Sequence, residues 1–244
     1  MHSQCIKPES LHDSLLSANF QEHRMSGTST PDIATPIPAP DTLELAALLC
    51  SKVCHDLISP VGAIVNGLEV LDDNPKPEDR DFALDLIRKS AKTASARLQF
   101  CRLAFGAAGS SGAQIDLGDA QTMARGHIED AKTSITWNLP RLLLPKNKVK
   151  LLLNMIVIAQ QTIPRGGQLT VDQVGEGEAM SFRVVATGLN ARLPQNIITL
   201  LDTAHAGTID AHAVQPYYTR LLAEACGLKV TLSTEGDAMV VAAG

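Results

Sequence analysis

No cluster of lysine and arginine interleaved with aromatic residues occurs in this 244-residue sequence, and a net charge of -5 with a pI near 5.8 offers nothing to a polyanion. Direct binding of nucleic acid is therefore not expected. The opening stretch, MHSQCIKPESLHDSLLSANFQEHRM, has neither a basic start nor a continuous apolar run, so it does not read as a secretory signal. No uninterrupted apolar run reaches the roughly 18 residues that a membrane span needs. The five cysteines (Cys5, Cys50, Cys54, Cys101, Cys226) are an odd and scattered set in a chain without an export signal. They read as reduced thiols packed as small hydrophobes, not as a disulfide framework. The expectation is a cytoplasmic protein with no membrane association.

What the sequence does contain is enough apolar residue, 45%, for two modest cores. Residues 26–40, SGTSTPDIATPIPAP, remove backbone donors and offer little to bury, so residues 1–40 are expected to be a mobile tail. Asp41 or Thr42 then suits a helix N-cap. Leu45, Leu48, Leu49, Val53, Leu57, Val61, Ile64, Val65, Leu68 and Leu71 follow at helical spacing, predicting one long helix that ends near Asp73. Asn74-Pro75-Lys76-Pro77 breaks it. Glu78 and Asp79 open a second helix whose inner face is expected to carry Ala83, Leu86, Ile87, Ala91, Ala94, Leu98, Cys101 and Phe105.

A two-helix hairpin cannot cover both apolar stripes by itself, whereas a second copy can, which predicts a homodimer built on a four-helix bundle. The hairpin is placed at residues 41–107. After a flexible Gly-Ala-Ser link, residues 113–244 alternate a helical segment, LLLNMIVIA, with strand-like ones: GGQLTVDQV, MSFRVVATG, GLKVTLST and DAMVVAA. This pattern predicts an α+β fold in which helices cover one sheet.

One histidine stands apart from the rest. At 100° per residue, His55 lies half a turn from Val53 and Leu57 and faces outward, sharing its face with Ser51, Lys52, Ser59, Gly62 and Asn66. An imidazole in water titrates near about 6.5, so at neutral pH much of it is free base with one nucleophilic nitrogen. Asp56 next to it can hold the proton on the other ring nitrogen. Pro60 removes the helical bond to the Asp56 carbonyl, at a helix cost of about 3 kcal/mol that asks for a reason.

Residues 51–61, SKVCHDLISPV, resemble the H-box of the dimerisation and phosphotransfer domain of sensor histidine kinases. The acceptor His55, the acid Asp56, Leu57 and Pro60 are kept; Ile58 replaces a usual basic residue, and Cys54 a Ser or Thr. Residues 151–171 follow the kinase N-box, but Ile158 stands where Asn ligates magnesium. In residues 184–194, Ala186 stands for the adenine-reading Asp and Asn190 for a glycine of the same motif. The glycine-rich lid motif is also absent before Pro216-Tyr217-Tyr218. The second region thus resembles a degenerate histidine-kinase ATP-binding domain.

A sound H-box beside such a domain is similar to the histidine phosphotransferases of alphaproteobacterial phosphorelays. The resemblance implies that His55 accepts a phosphoryl group from the receiver aspartate of a hybrid kinase of the CckA kind. It then passes to receivers of the CtrA and CpdR kind in cell-cycle signalling. Asp56 would stabilise the ring, and Lys52, Ile58, Ser59 and Gly62 would meet the receiver. This chain would bind no cofactor and no metal, the Mg2+ being supplied by the receiver. Competing readings are an active kinase, a docking module that carries no phosphate, and a metal or haem protein built on Cys50, Cys54 and His55. Neither the other histidines nor Trp137, read as core, has a matching motif.

Overall fold

A computed structural model describes residues 40–106, 112–202 and 209–244. The predicted tail up to residue 39, most of the predicted link after Gly106, Cys5, His2, His12, His23 and His205 lie outside the described residues.

Helices α1 (Thr42–Asp72) and α2 (Pro77–Ala104) form the predicted hairpin. Asp41 caps α1, its carboxylate accepting from the Glu44 N–H at 2.8 Å. Asn74 turns the chain at a φ of 57°, and Pro77 begins α2 where a missing N–H does no harm. The two helices pass so closely that a Cβ on Gly67 would lie 2.6 Å from Ile87 Cγ1 and 3.2 Å from the Ala83 carbonyl oxygen. Of the predicted inner face of α2, Ala83 and Cys101 are buried, but Ala91 and Leu98 are exposed. Ser90, Phe100 and Ala104 are buried instead, because α2 packs on the following domain as well as on α1.

The remainder is built from β1 (Gln114–Asp116), α3 (Leu117–Ile128), β2 (Thr133–Trp137), β3 (Leu143–Pro145), α4 (Lys146–Gln161), β4 (Gly167–Val174), β5 (Ser181–Thr187), α5 (Gln195–Leu201), α6 (Val214–Ala225), β6 (Val230–Glu235) and β7 (Ala238–Ala243). β1 and β3 form a small antiparallel ribbon. The main sheet has the order β2-β4-β5-β7-β6, with only the β2–β4 pair parallel. The register aligns Leu169 with Ala186 and Met239, and Val171 with Val184 and Val241, so the centre of one face is apolar. Helices α3, α4 and α6 cover that face, while Gln168, Thr170, Asp172 and Arg183 line the other. The fold is α+β, as the alternation of segments predicts. Phe100 and Ala104 of α2 belong to the same core, so the hairpin is anchored by its second helix.

The absence of an uninterrupted apolar run understates α1. An 18-residue window within it reaches a mean hydropathy of 1.4, making it long and apolar enough to cross a membrane by length and composition. Alanine, valine, cysteine and glycine raise the average although Lys52, His55 and Asp56 interrupt the run.

Candidate functional site

Helix α1 has three faces. Val53, Leu57, Pro60, Ile64, Gly67 and Leu71 turn toward α2 and the core and are buried or half-buried. About 100° further round, Cys54, Val61, Val65 and Leu68 form an exposed stripe, the three aliphatic side chains 47–48% exposed. The remaining face carries Ser51, His55, Ser59, Gly62 and Asn66. His55 is 63% exposed, and a Cβ on Gly62 would meet nothing within 4 Å, so a partner can reach the ring. Ile58, 69% exposed, borders both outer faces.

Asp56 is the hub beneath the ring. Its Oδ2 accepts a hydrogen bond from Lys52 Nζ, and its Oδ1 lies 3.6 Å from His55 Nδ1. That separation gives electrostatic attraction without a formed hydrogen bond. Lys52 is consequently folded onto the carboxylate and only 18% exposed, which corrects its expected place on the open solvent face. Pro60 leaves the Asp56 carbonyl without its helical donor. Arg97 of α2 fills the vacancy, its Nη1 donating to that carbonyl at 2.6 Å. The proline thus turns an internal helix bond into a link between the two helices beneath the histidine.

Behind Lys52 and Asp56 the wall is formed by Phe100, Cys101, His127, Val157 and Gln215. His127 stacks on Phe100 with ring centroids 4.0 Å apart, and its Nδ1 has no partner. Burial pushes its pKa down to about 4, so it is neutral. Burial likewise raises the Cys101 thiol to about 11, with the Asp56 charge adding to the effect. This thiol packs as an inert hydrophobe, whereas Cys50 and Cys54 are exposed, contrary to the expectation that the cysteines pack as small hydrophobes. Trp137 is half-buried against the core.

Sequence periodicity missed His212. It lies just before α6, 157 positions from His55 in the chain, yet the two rings meet edge to face, with centroids 5.1 Å apart and planes at 80°. Only an acid two residues earlier, Asp210, hinted at local order: its Oδ1 accepts from the N–H of His212 at 2.9 Å and of Ala213 at 2.7 Å. These bonds, that to Ala213 first, hold the Asp210 carboxyl below the usual range.

The positions likened to nucleotide ligands are apolar and sealed. Ile158 of α4 and Ala186 of β5 are fully buried in the core between helix and sheet. Asn190 adopts a φ of 58°, so it keeps the left-handed backbone of the glycine it replaces. Among the described residues, no group of three or more His, Cys, Asp or Glu side chains is arranged to hold a metal ion.

The helical hairpin with an outward histidine, joined to this α/β layer, defines a protein of the phosphotransfer class, and the family described as "Histidine phosphotransferase C-terminal domain" matches residues 117–238. The chain belongs to the histidine phosphotransferase family, whose members transfer phosphoryl groups in phosphorelays. It is 50% identical over 206 residues to the protein phosphotransferase ChpT of Brucella abortus (strain 2308), covering 82% of this chain and 95% of that protein. It is also similar to a solved structure described as a bacterial phosphotransferase, at 47% identity and a TM-score of 0.77, with 86% of this chain and all of that one covered.

Proposed function

We propose that His55 is the phosphoacceptor of a multistep phosphorelay. It takes the phosphoryl group from the receiver aspartate of a CckA-like hybrid kinase and delivers it to the receiver aspartates of CtrA-like and CpdR-like regulators. The observation that carries this reading is the exposed His55 ring on a helix face of small and polar residues, with the Asp56 carboxylate beneath it.

Nδ1 is the ring nitrogen nearer Asp56, which favours the tautomer with its proton on Nδ1 and the lone pair on Nε2. Nε2 attacks the phosphorus of the receiver's acyl phosphate in line. The N–P bond forms as the P–O bond to the receiver aspartate breaks, and the receiver's carboxylate leaves with the electron pair. The ring becomes positive, and the Asp56 charge stabilises it across the 3.6 Å gap. Magnesium is supplied by the receiver, and this chain contributes chiefly position. The reverse steps run on the second receiver.

Ile58, Ser59 and Gly62 lie on or beside the His55 face and would contact the docked receiver. Lys52 would act from below, through Asp56. The stripe of Val61, Val65 and Leu68 would be covered by a second copy of the hairpin in a four-helix bundle. That stripe lies about 100° from His55, so a homodimer leaves both histidines open. Buried aliphatic and methyl groups at Ile158 and Ala186 support a chain that draws its phosphoryl from a protein, not from ATP. The reading places the protein in the cytoplasm, with the apolar face of α1 in a bundle.

The test is transfer of label from a phosphorylated receiver to wild type and to His55→Ala, beside incubation with labelled ATP. Acid-labile label on wild type alone, and none from ATP, is expected. Label persisting on His55→Ala would overturn the assignment.

A further inference from the structure

We propose that His212, presented by the α/β part of the chain at the start of α6, is a positioning residue for the His55 imidazole. The assignment deepens the phosphoacceptor reading and rests on it. The edge-to-face contact at 5.1 Å and 80° is a favourable arrangement for two π rings and restricts rotation of each about its Cβ–Cγ bond.

His55 needs such a restraint. Its ring is 63% exposed, its distance of 3.6 Å to Asp56 is too long for a hydrogen bond, and its neighbours one turn away on the same face of α1, Ser51 and Ser59, are too small to pack against a ring. A free ring would sample several orientations, and only those aiming Nε2 along the P–O axis of the incoming acyl phosphate react.

His212 is itself held firmly. Asp210 fixes the backbone on both sides of it, through the N–H groups of His212 and Ala213. Immediately afterwards Val214 and Gln215 are fully buried, and Gln215 Nε2 donates to the carbonyl oxygen of Asn154 in α4 at 3.0 Å. The ring on which His55 leans is therefore tied to the core of the α/β layer. The charged groups nearby are Asp210 on the His212 segment, Lys52 and Asp56 on α1, and Arg97 on α2. This gives the α/β domain a task at the transfer centre that needs no nucleotide.

His212 is exposed, so its replacement leaves the core intact. The full-length chain would be compared as wild type, His212→Ala and His212→Phe. Two quantities would be read: the single-turnover rate of transfer from a phosphorylated receiver as a function of receiver concentration, and the NMR ring order of His55 in the unphosphorylated protein. His212→Ala is expected to lower the saturating rate about fivefold to tenfold, leave half-saturation within about twofold, and loosen the His55 ring. His212→Phe, which keeps an aromatic partner, is expected to restore most of both. Unchanged ring order and rate in His212→Ala would overturn the proposal. So would a loss confined to half-saturation, which would make His212 a docking residue. Failure of wild type to take any label would overturn the His55 reading instead, because ring order is measured without phosphate.

Discussion

Helices α1 and α4 are both rich in leucine, isoleucine and valine, yet they use those residues in opposite ways. Every residue of α4 from Val149 to Ala159 is buried, whereas α1, 31 residues against 16, fully buries only Pro60 and Gly67. The α4 residues find all their partners inside one chain and so hold the fold together. In α1 one face packs on α2, a second leaves aliphatic side chains in water, and a third carries the histidine. An apolar helix with an uncovered stripe points outward to another surface. The α/β layer, completed by Phe100 and Ala104 of α2, is the support, while α1 turns two of its three faces outward.

The largest effect should come from breaking that outward stripe. Val65→Glu with Leu68→Glu is expected to shift the protein from a dimer to the mass of a single 26.0 kDa chain, measured by light scattering after gel filtration. A wild-type protein that already ran as a monomer would remove the proposed bundle.

The opposite test concerns the place where the two regions join. Phe100 of α2 is 1% exposed and belongs to the α/β core, so Phe100→Ala should destabilise by about 4 kcal/mol in urea unfolding. A value below about 1 kcal/mol would mean that α2 does not anchor the hairpin.

His127 sharpens the same junction through pH. Its pKa is lowered to about 4 in the fold, against about 6.5 in an unfolded chain, so the unfolded state takes up a proton first as pH falls. Stability is full above pH 6.5 and is lost progressively down to pH 4, by up to roughly 3 kcal/mol from this group. In His127→Phe, chemical denaturation between these pH values should show a flatter decline. An identical slope would show that His127 is not buried neutral.

The smallest effect is the most local. Arg97→Ala should cost about 1 kcal/mol, since it leaves the half-buried Asp56 carbonyl without a donor. In a Pro60→Ala background the helix regains its own N–H, and the loss should shrink. Equal losses in both backgrounds would separate Arg97 from the proline.

Much of this was legible locally. The α1–α2 hairpin followed from spacing and from Pro75 and Pro77, and the main strands β4 to β7 from short apolar segments bounded by glycine. The outward direction of His55 followed from 100° per residue. β2 and α3 are not legible in this way, because TSITW is short and the helix residues Gly118, Ala120, Ala124 and Gly126 carry little apolar signal. Ala91 and Leu98 are expected inward yet lie exposed, because periodicity gives the angle of a face, not the neighbour that covers it.

Residue spacing alone establishes which helix bears the histidine, which side of that helix it occupies, and that the proline frees the Asp56 carbonyl. These are properties of residues within one or two turns of each other, and helical geometry converts their spacing directly into position. Packing in three dimensions is what brings Arg97 to that carbonyl, folds Lys52 onto Asp56, leaves His127 neutral behind them, and sets His212 against His55. Except for Lys52, these partners stand 41 or more positions away. Their meeting depends on how α2, α3 and α6 pack around a shared core, and local periodicity does not encode that.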